Sequence, residues 1–160
     1  MSTVTPRGVL GLDLGTRTGW ALYDGTMIDS GVQVFDVRRG ESPGMRYLRF
    51  RTWLAEVALI DSWGNSRVRL IGYEQPHHRG GAATEVLAGF STSVQAFCAR
   101  YNIEHAAIHT GTLKKVFTGS SATKKAGMIA EANRRAIVKH LITDDNEADA
   151  VAVLCWAMKQ

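Results

Sequence analysis

The sequence predicts an α/β fold in which one mixed β-sheet carries helices on both faces. The first 35 residues contain three short apolar or alternating runs separated by turn signals, a pattern typical of an antiparallel meander. The remaining residues alternate apolar runs with stretches of helical periodicity, which predicts further strands joined by helices. The chain has 160 residues, of which 45% are hydrophobic, so we expect one domain over residues 1–160 with a sizeable core.

Three strands are predicted at the start of the chain. The run from Val9 to Leu14 is apolar except for Asp13, and the run from Gly19 to Tyr23 follows a Gly-Thr-Arg-Thr turn. The run from Ile28 to Phe35 alternates in part and follows the turn signal Asp24-Gly25. Each run is short and consecutive with the next, so we expect them to pair as an antiparallel meander.

The first helix is predicted between Pro43 and Ile60, because apolar residues recur there at spacings of three and four. The predicted apolar stripe consists of Met45, Leu48, Trp53, Leu54, Val57 and Ile60.

The second half of the chain alternates between strand and helix patterns. A strand from Val68 to Tyr73 ends at Glu74 and is followed by a glycine-rich loop over 75–82. The later predicted elements are a helix over 84–101, a strand over 103–108, a helical turn over 112–117, a loop over 118–121, and helices over 123–141 and 145–158. Asp144 and Glu147 have the spacing of a capping box at the start of the last helix.

Composition and charge narrow the classes of function. No apolar run is long enough to cross a bilayer and the first residues lack a signal-peptide pattern, so we expect a cytoplasmic protein without a membrane partner. The two cysteines, Cys98 and Cys155, lie in apolar stretches and are expected to be buried free thiols. Residues 100–139 hold eight basic and two acidic side chains, a net charge of +6, whereas the rest of the chain carries −2. This segregation indicates a basic face suited to a polyanion.

Three carboxylates occupy positions that could carry chemistry. Asp13 interrupts an apolar strand, where a charge is costly unless a cation or hydrogen bonds at the strand end compensate it. Glu74 ends a second apolar strand, and Asp149 lies between two alanines on the last helix, where small neighbours allow close approach to the sheet. If the strands are neighbours and the helix packs on them, the three carboxylates converge on one point.

Carboxylates that converge would repel one another unless cations lie between them. Oxygen ligands without a cysteine or histidine pair favour Mg²⁺ or Mn²⁺ over zinc. Two such ions, about 3.5 to 4 Å apart, could activate water and stabilise the leaving oxygen of a phosphodiester. A phosphodiester substrate would also account for the basic segment.

Four sequence segments stand out as a set: GLDLGTRTGWAL at 11–22, GYEQPHHRGG at 72–81, LKKVFTGSSATKK at 113–125 and DDNEADAVAV at 144–153. Together, in this order and spacing, they resemble the RuvC family of Holliday junction resolvases. The resemblance covers nearly the whole chain and implies a ribonuclease H-like fold with a five-stranded mixed sheet. It implies a metal-dependent crossover junction endodeoxyribonuclease that acts as a homodimer on four-way and other branched DNA. Paired symmetric nicks would leave 5′-phosphate ends.

The resemblance assigns metal binding to Asp13, Glu74 and Asp149. A fourth family ligand falls at Asn146, where an Asp or His is usual, and this is a departure from the pattern. The asparagine could offer a neutral oxygen, or Asp145 could take the role from a similar helix face.

The basic residues and the loop after Glu74 receive roles from the same resemblance. Lys124 and Lys114 match two basic positions near the scissile phosphate, and Lys115 and Lys125 are their neighbours. As point charges, these lysines could stabilise the transition state or hold the DNA backbone. The loop segment His77, His78 and Arg79 stands where similar proteins open the junction, although a histidine metal site is an alternative. The small and apolar residues of the helix over 84–100 could form a two-fold interface or simply pack in the core.

Three other functions are compatible with parts of the pattern. The fold implied by the resemblance also hosts nucleases for RNA and for RNA–DNA hybrids. The string Gly-Leu-Asp-Leu-Gly-Thr at 11–16 also occurs in actin- or sugar-kinase-like ATPases, but those need a second domain around the nucleotide, so we expect no nucleotide cofactor. The asparagine at 146 is compatible with an inactive junction-binding module. A phage-encoded enzyme, working in the host cytoplasm, and a cellular enzyme would look alike in these features.

Overall fold

A computed structural model describes residues 5–76 and 80–160 of the chain and contains one five-stranded sheet in this part. Its strands are β1 (Gly8–Asp13), β2 (Arg17–Tyr23), β3 (Ile28–Val34), β4 (Val68–Glu74) and β5 (Glu104–Ile108). They lie in the order β3-β2-β1-β4-β5, with β1, β2 and β3 antiparallel and β1, β4 and β5 parallel. The meander and the mixed sheet are therefore confirmed.

Helices cover both faces of the sheet, as predicted. The helices are α1 (Met45–Val57), α2 (Gly81–Tyr101), α3 (Thr110–Thr118), α4 (Lys125–Arg135) and α5 (Asp145–Ala157). Side chains of α1 and α2 form one core with Leu10, Leu12 and Ile71 of the sheet. Side chains of α3, α4 and α5 form a second core with Val9 and Leu70. The two cores lie on opposite faces because successive side chains of a strand point in opposite directions.

The core under α1 is aromatic and differs from the predicted stripe. Phe50 is fully buried, with its ring centroid 5.3 Å from that of Phe35 and 5.0 Å from that of Phe90. Leu48, predicted to face the core, is 59% exposed. Ile60 lies beyond the end of the helix, after a left-handed turn at Leu59 (φ 57°). The prediction for the stripe was wrong at Leu48 because the cluster of rings, rather than a run of aliphatic residues, sets the buried face.

The fourth helix is shorter than predicted. It ends at Arg135, not near 141, and Ala136 adopts a left-handed conformation with φ 50°. The side chain of Asn133 then binds the backbone of Ile142 twice, through Nδ2 to the carbonyl and through Oδ1 from the amide, both at 2.9 Å. These bonds fold the chain back toward the sheet, where Val138 and Ile142 are buried. The apolar residues after 135 therefore belong to a packed loop.

Smaller differences concern other predicted features. Helix α2 begins at Gly81 rather than 84, and both Gly81 and the preceding Gly80 have positive φ. Strand β5 begins one residue later than predicted. Both cysteines are free, but Cys155 is only half-buried. Within residues 5–76 and 80–160, no helix is both long and apolar enough to cross a membrane.

Candidate metal centre

Two neighbouring parallel strands bring Asp13 and Glu74 together. In the pairing of β1 with β4, Leu12 lies beside Tyr73, and each acidic residue is the next one along its strand. Because parallel strands end at the same edge of a sheet, both carboxylates project at the carboxyl edge.

Helix α5 adds the third carboxylate because it lies directly on the backbone of the sheet. A Cβ atom placed on Gly11 would be 2.5 Å from the amide nitrogen of Leu154, and one on Gly19 would be 1.9 Å from the carbonyl oxygen of Asn146. Glycine is needed at both positions, since any side chain there would collide with helix backbone. This close approach brings Asp149, near the middle of α5, to the ends of β1 and β4.

Asp13, Glu74 and Asp149 form a compact acidic cluster. One carboxylate oxygen from each lies within 4.8 Å of the others, and all three residues are half-buried. Burial and the charges of Glu74 and Asp149 raise the pKa of Asp13 well above its ordinary value. Burial, with the charges of Glu74 and Asp145, raises the pKa of Asp149 to about 7.

The donor set fits a hard divalent cation. Three carboxylate oxygens in one small volume are the ligands that Mg²⁺ and Mn²⁺ prefer. Burial and the neighbouring carboxylates raise the pKa of Asp13 and Asp149, so ionising both side chains is costly without a compensating positive charge. A cation between them would supply it.

The start of α5 holds the two candidates for a fourth ligand. Oδ2 of Asp145 lies 3.3 Å from Nζ of Lys125, and the charge of Asp145 raises the pKa of both Asp13 and Asp149. Asn146 donates its backbone amide to Oδ1 of Asp144 at 2.8 Å. Asp145 does not belong to the acidic cluster of Asp13, Glu74 and Asp149. Among the described residues, this cluster is the one group of three or more His, Cys, Asp or Glu side chains close enough to hold a metal ion. Asp145 thus lies near the cluster, and Asn146 precedes Asp149 by three residues on the same helix.

The predicted capping box is formed in part. Asp144 caps α5 through the amide of Asn146, and Arg17 binds the same carboxylate with a nitrogen–oxygen distance of 2.6 Å. Glu147 is instead buried, where it accepts a hydrogen bond of 2.7 Å from Ser30 of β3 and contacts His140. The glutamate therefore ties the first turn of α5 to the sheet edge and to the preceding loop.

The predicted basic residues divide into two groups. The charges of Lys114 on α3 and Lys125 on α4 lower the pKa of Asp149, which opposes the increase caused by burial and by Glu74 and Asp145. Both lysines therefore lie near the cluster. Lys124 is the exposed N-cap residue of α4, and Lys115 is exposed on α3. The predicted loop residues His77, His78 and Arg79 lie outside the described residues.

Two contacts of the site were not predicted from the sequence. The hydroxyl of Thr110, the first residue of α3, donates a hydrogen bond to Oε1 of Glu74, and Arg17 pairs with Asp144. The residues of these contacts are 36 and 127 positions apart along the chain. A threonine at the start of a helix indicates a cap rather than a partner for a distant carboxylate. Residues this far apart leave no local pattern, so the sequence contained no signal for either contact.

Comparisons with solved structures agree with this architecture. The fold is similar to that of T. thermophilus RuvC in complex with Holliday junction substrate, with a TM-score of 0.74, 17% sequence identity, and coverage of 92% of this chain and 90% of that chain. A second T. thermophilus RuvC structure matches with a TM-score of 0.70 and 17% identity over 92% of this chain and 91% of that chain. No protein-family model and no curated protein matches the sequence. The fold implied by the sequence resemblance is confirmed.

Proposed function

We propose that this chain is a metal-dependent, structure-selective endonuclease that resolves four-way and other branched DNA junctions by paired symmetric nicks. The observation that carries the proposal is the cluster of Asp13, Glu74 and Asp149 at the carboxyl edge of the sheet. The shared fold with RuvC, one of whose structures contains a Holliday junction substrate, supports branched DNA as the substrate class.

The proposed roles follow the geometry of the cluster. Asp13, Glu74 and Asp149 would hold two divalent ions, either Mg²⁺ or Mn²⁺. Asn146 or Asp145 would complete the site. Bound divalent ions supply Lewis acidity and lower the pKa of water, as phosphodiester hydrolysis at neutral pH requires.

The basic residues would hold and orient the DNA. Lys114 and Lys125, near Asp149, would hold the phosphate next to the carboxylates. Lys124 would stabilise the charge that develops on the reacting phosphate. Lys115 would contact the DNA backbone, and the loop residues His77, His78 and Arg79 would stack on bases where the junction is opened.

Two proposals concern assembly and place of action. A symmetric pair of nicks needs two sites related by a two-fold axis, whereas the described part of the chain has one acidic cluster. The active form would therefore be a homodimer of single nuclease domains over residues 1–160. It would act in the cytoplasm, where its DNA substrate would be found, and would leave 5′-phosphate ends.

Replacing Asp13 tests the proposal directly. Asp13→Asn keeps the shape of the side chain but removes the charge at the centre of the cluster. We expect cleavage of a synthetic four-way junction in Mg²⁺ to fall about 10³-fold, since metal ions supply several kcal/mol of transition-state stabilisation. Binding of the junction, measured by gel shift with Ca²⁺, should be retained.

The matched control is Asp36→Asn, which removes an exposed carboxylate outside the cluster and should cleave like the parent protein. Linear duplex and an RNA–DNA hybrid of the same sequence, at the same salt concentration, test the substrate class. If the protein cleaves the hybrid in preference to the junction, its substrate is an RNA–DNA hybrid and not branched DNA. Unimpaired junction cleavage by Asp13→Asn would refute the metal assignment.

A further inference from the structure

Thr110 lies at the junction between β5 and α3, next to the end of the strand that carries Glu74. Its side-chain hydroxyl donates a hydrogen bond to Oε1 of Glu74. A carboxylate oxygen that accepts such a bond is restrained in direction, and the rotamers of its side chain are restricted. This hydrogen bond therefore favours an orientation of Glu74 in which Oε1 faces Thr110.

The backbone around Thr110 is firmly held. The pairing of β4 with β5 places Glu74 beside Ile108, and the amide of Gln75 donates to the carbonyl of Ile108 at 2.8 Å. Leu113 and Phe117 of α3 are buried in the core under α5. A hydroxyl on this framework can position a ligand, because its own place is determined by packing and by sheet hydrogen bonds.

A second residue on the same side of α3 also acts on the acidic cluster. Lys114 follows Thr110 by four residues, a spacing that places two side chains on one helix face. The positive charge of Lys114 lowers the pKa of Asp149. One face of α3 is thus directed at two of the three carboxylates, through a hydrogen bond to Glu74 and through charge at Asp149.

We propose that Thr110 is a positioning residue that holds Oε1 of Glu74 and leaves Oε2 free to bind a divalent cation. The proposal rests on the proposed function, since it assumes that Glu74 is a metal ligand. Without the hydroxyl, Glu74 would have to lose rotamer freedom when the cation binds, and the affinity for the cation would fall.

The test measures cation affinity rather than cleavage alone. Mn²⁺ is titrated into the metal-free full chain by calorimetry for the parent protein, Thr110→Val and Thr110→Ser. Valine keeps the branched shape without the donor, whereas serine keeps the donor. We expect Thr110→Val to weaken Mn²⁺ binding about tenfold and Thr110→Ser to stay within about twofold of the parent protein.

Two further measurements separate positioning from a structural role. Thr112→Val, an exposed position on the same helix, is the matched control and should leave Mn²⁺ affinity unchanged. In a Glu74→Gln background, Thr110→Val should have less than about a twofold effect, because Thr110 acts through Glu74. Thermal unfolding in EDTA checks that the variants fold, and Thr110→Ala replaces the valine variant if it does not.

The outcomes distinguish this proposal from the proposed function. If the parent protein binds Mn²⁺ and cleaves junctions but Thr110→Val binds equally tightly, the role of Thr110 is refuted and the function stands. If Thr110→Val weakens binding while the parent protein cleaves no junction, the role of Thr110 is supported and the function is refuted. A parent protein that binds no divalent cation refutes both.

Discussion

The two faces of the sheet are packed in opposite ways. On the α1–α2 face, large rings fill the space between helix and sheet, with centroids of Phe35, Phe50 and Phe90 within 5.0 to 6.1 Å of one another. On the α5 face, glycines of the sheet meet helix backbone, so that a Cβ at Gly11 would lie 2.5 Å from Leu154. Rings bury the larger apolar area, whereas small residues allow the closer approach.

This difference matters for the acidic cluster. Asp149 reaches the ends of β1 and β4 only because α5 lies close to the sheet, and a helix held off by aromatic rings would carry its carboxylate farther away. The aromatic face therefore supplies stability, whereas the close-packed face brings Asp149 near the strand ends. Substitutions on the two faces should therefore separate stability from metal binding.

The largest expected effect on stability comes from the aromatic face. Phe50→Ala removes a fully buried ring and leaves a cavity, which should lower the free energy of unfolding by about 3–5 kcal/mol. The Mn²⁺ affinity of the folded protein should remain unchanged, because Phe50 lies on the face opposite α5. Urea unfolding and calorimetric titration measure the two quantities.

Leu48→Ala on the same helix is the matched control. Leu48 is 59% exposed, so its truncation should change the free energy of unfolding by no more than about 0.5 kcal/mol. Equal destabilisation by the two variants would contradict the observed buried face of α1, and weakened Mn²⁺ binding in Phe50→Ala would contradict the division between the faces.

The next effect concerns the close-packed face. Gly11→Ala should destabilise the protein by about 1–3 kcal/mol, since the added methyl group meets helix backbone that cannot rotate away. Because α5 must shift to make room, Asp149 should move from the other carboxylates and Mn²⁺ affinity should fall about tenfold. The same two measurements as for Phe50→Ala detect both changes.

Gly111→Ala is a control with the same change of side chain. Among the described residues, a Cβ at Gly111 of α3 would meet no atom within 4 Å apart from its own stretch of helix backbone, and its φ is not in the left-handed region. Alanine is the better helix former, so this variant should be as stable as the parent protein or more so. If Gly11→Ala bound Mn²⁺ as tightly as Gly111→Ala, proximity of α5 would not be what assembles the cluster.

A further effect is a dependence of stability on pH. It arises from the carboxylates of Asp13 and Asp149, which lie together where α5 meets the ends of β1 and β4. The pKa of Asp149 is raised to about 7 and that of Asp13 is also raised, whereas in the unfolded chain both pKa values are about 4. Between these values the native protein binds more protons than the unfolded chain, so the free energy of unfolding falls as pH rises. In EDTA we therefore expect the free energy of unfolding to decrease as the pH rises from about 5 to about 8.

Urea unfolding at several pH values checks this loss. Saturating Mg²⁺ should weaken the dependence, because the cation compensates the ionised carboxylates, and Asp149→Asn should reduce it in EDTA. Stability that stayed level or rose across this range in EDTA would show that the carboxylates do not repel one another as their burial and spacing indicate.

Much of the site could be predicted from local sequence. Asp13 interrupts an apolar run and Glu74 ends one, so both were expected on strands of a sheet core. The two alanines beside Asp149 indicated a helix that packs closely on a sheet. The structure brings these three carboxylates together, although their role as metal ligands stays a prediction.

Other features depend on contacts that local patterns do not contain. The end of α4 is set by the bonds between Asn133 and Ile142, nine residues apart. Glu147 has the spacing of a capping residue, yet the distant Ser30 binds its carboxylate. In each case a partner outside the local pattern forms the hydrogen bond that the pattern does not predict.

Local sequence patterns are enough to predict the order and type of the elements and the residues at which carboxylates interrupt or end apolar strands. These features follow from periodicity and from the cost of burying charge, which act over a few neighbouring residues. Only the packed structure shows which face of α1 is buried, that Thr110 donates a hydrogen bond to Glu74, and that Lys114 and Lys125 lie near Asp149. Such contacts join residues far apart in the chain, and their geometry exists only once α3, α4 and α5 have packed on the sheet.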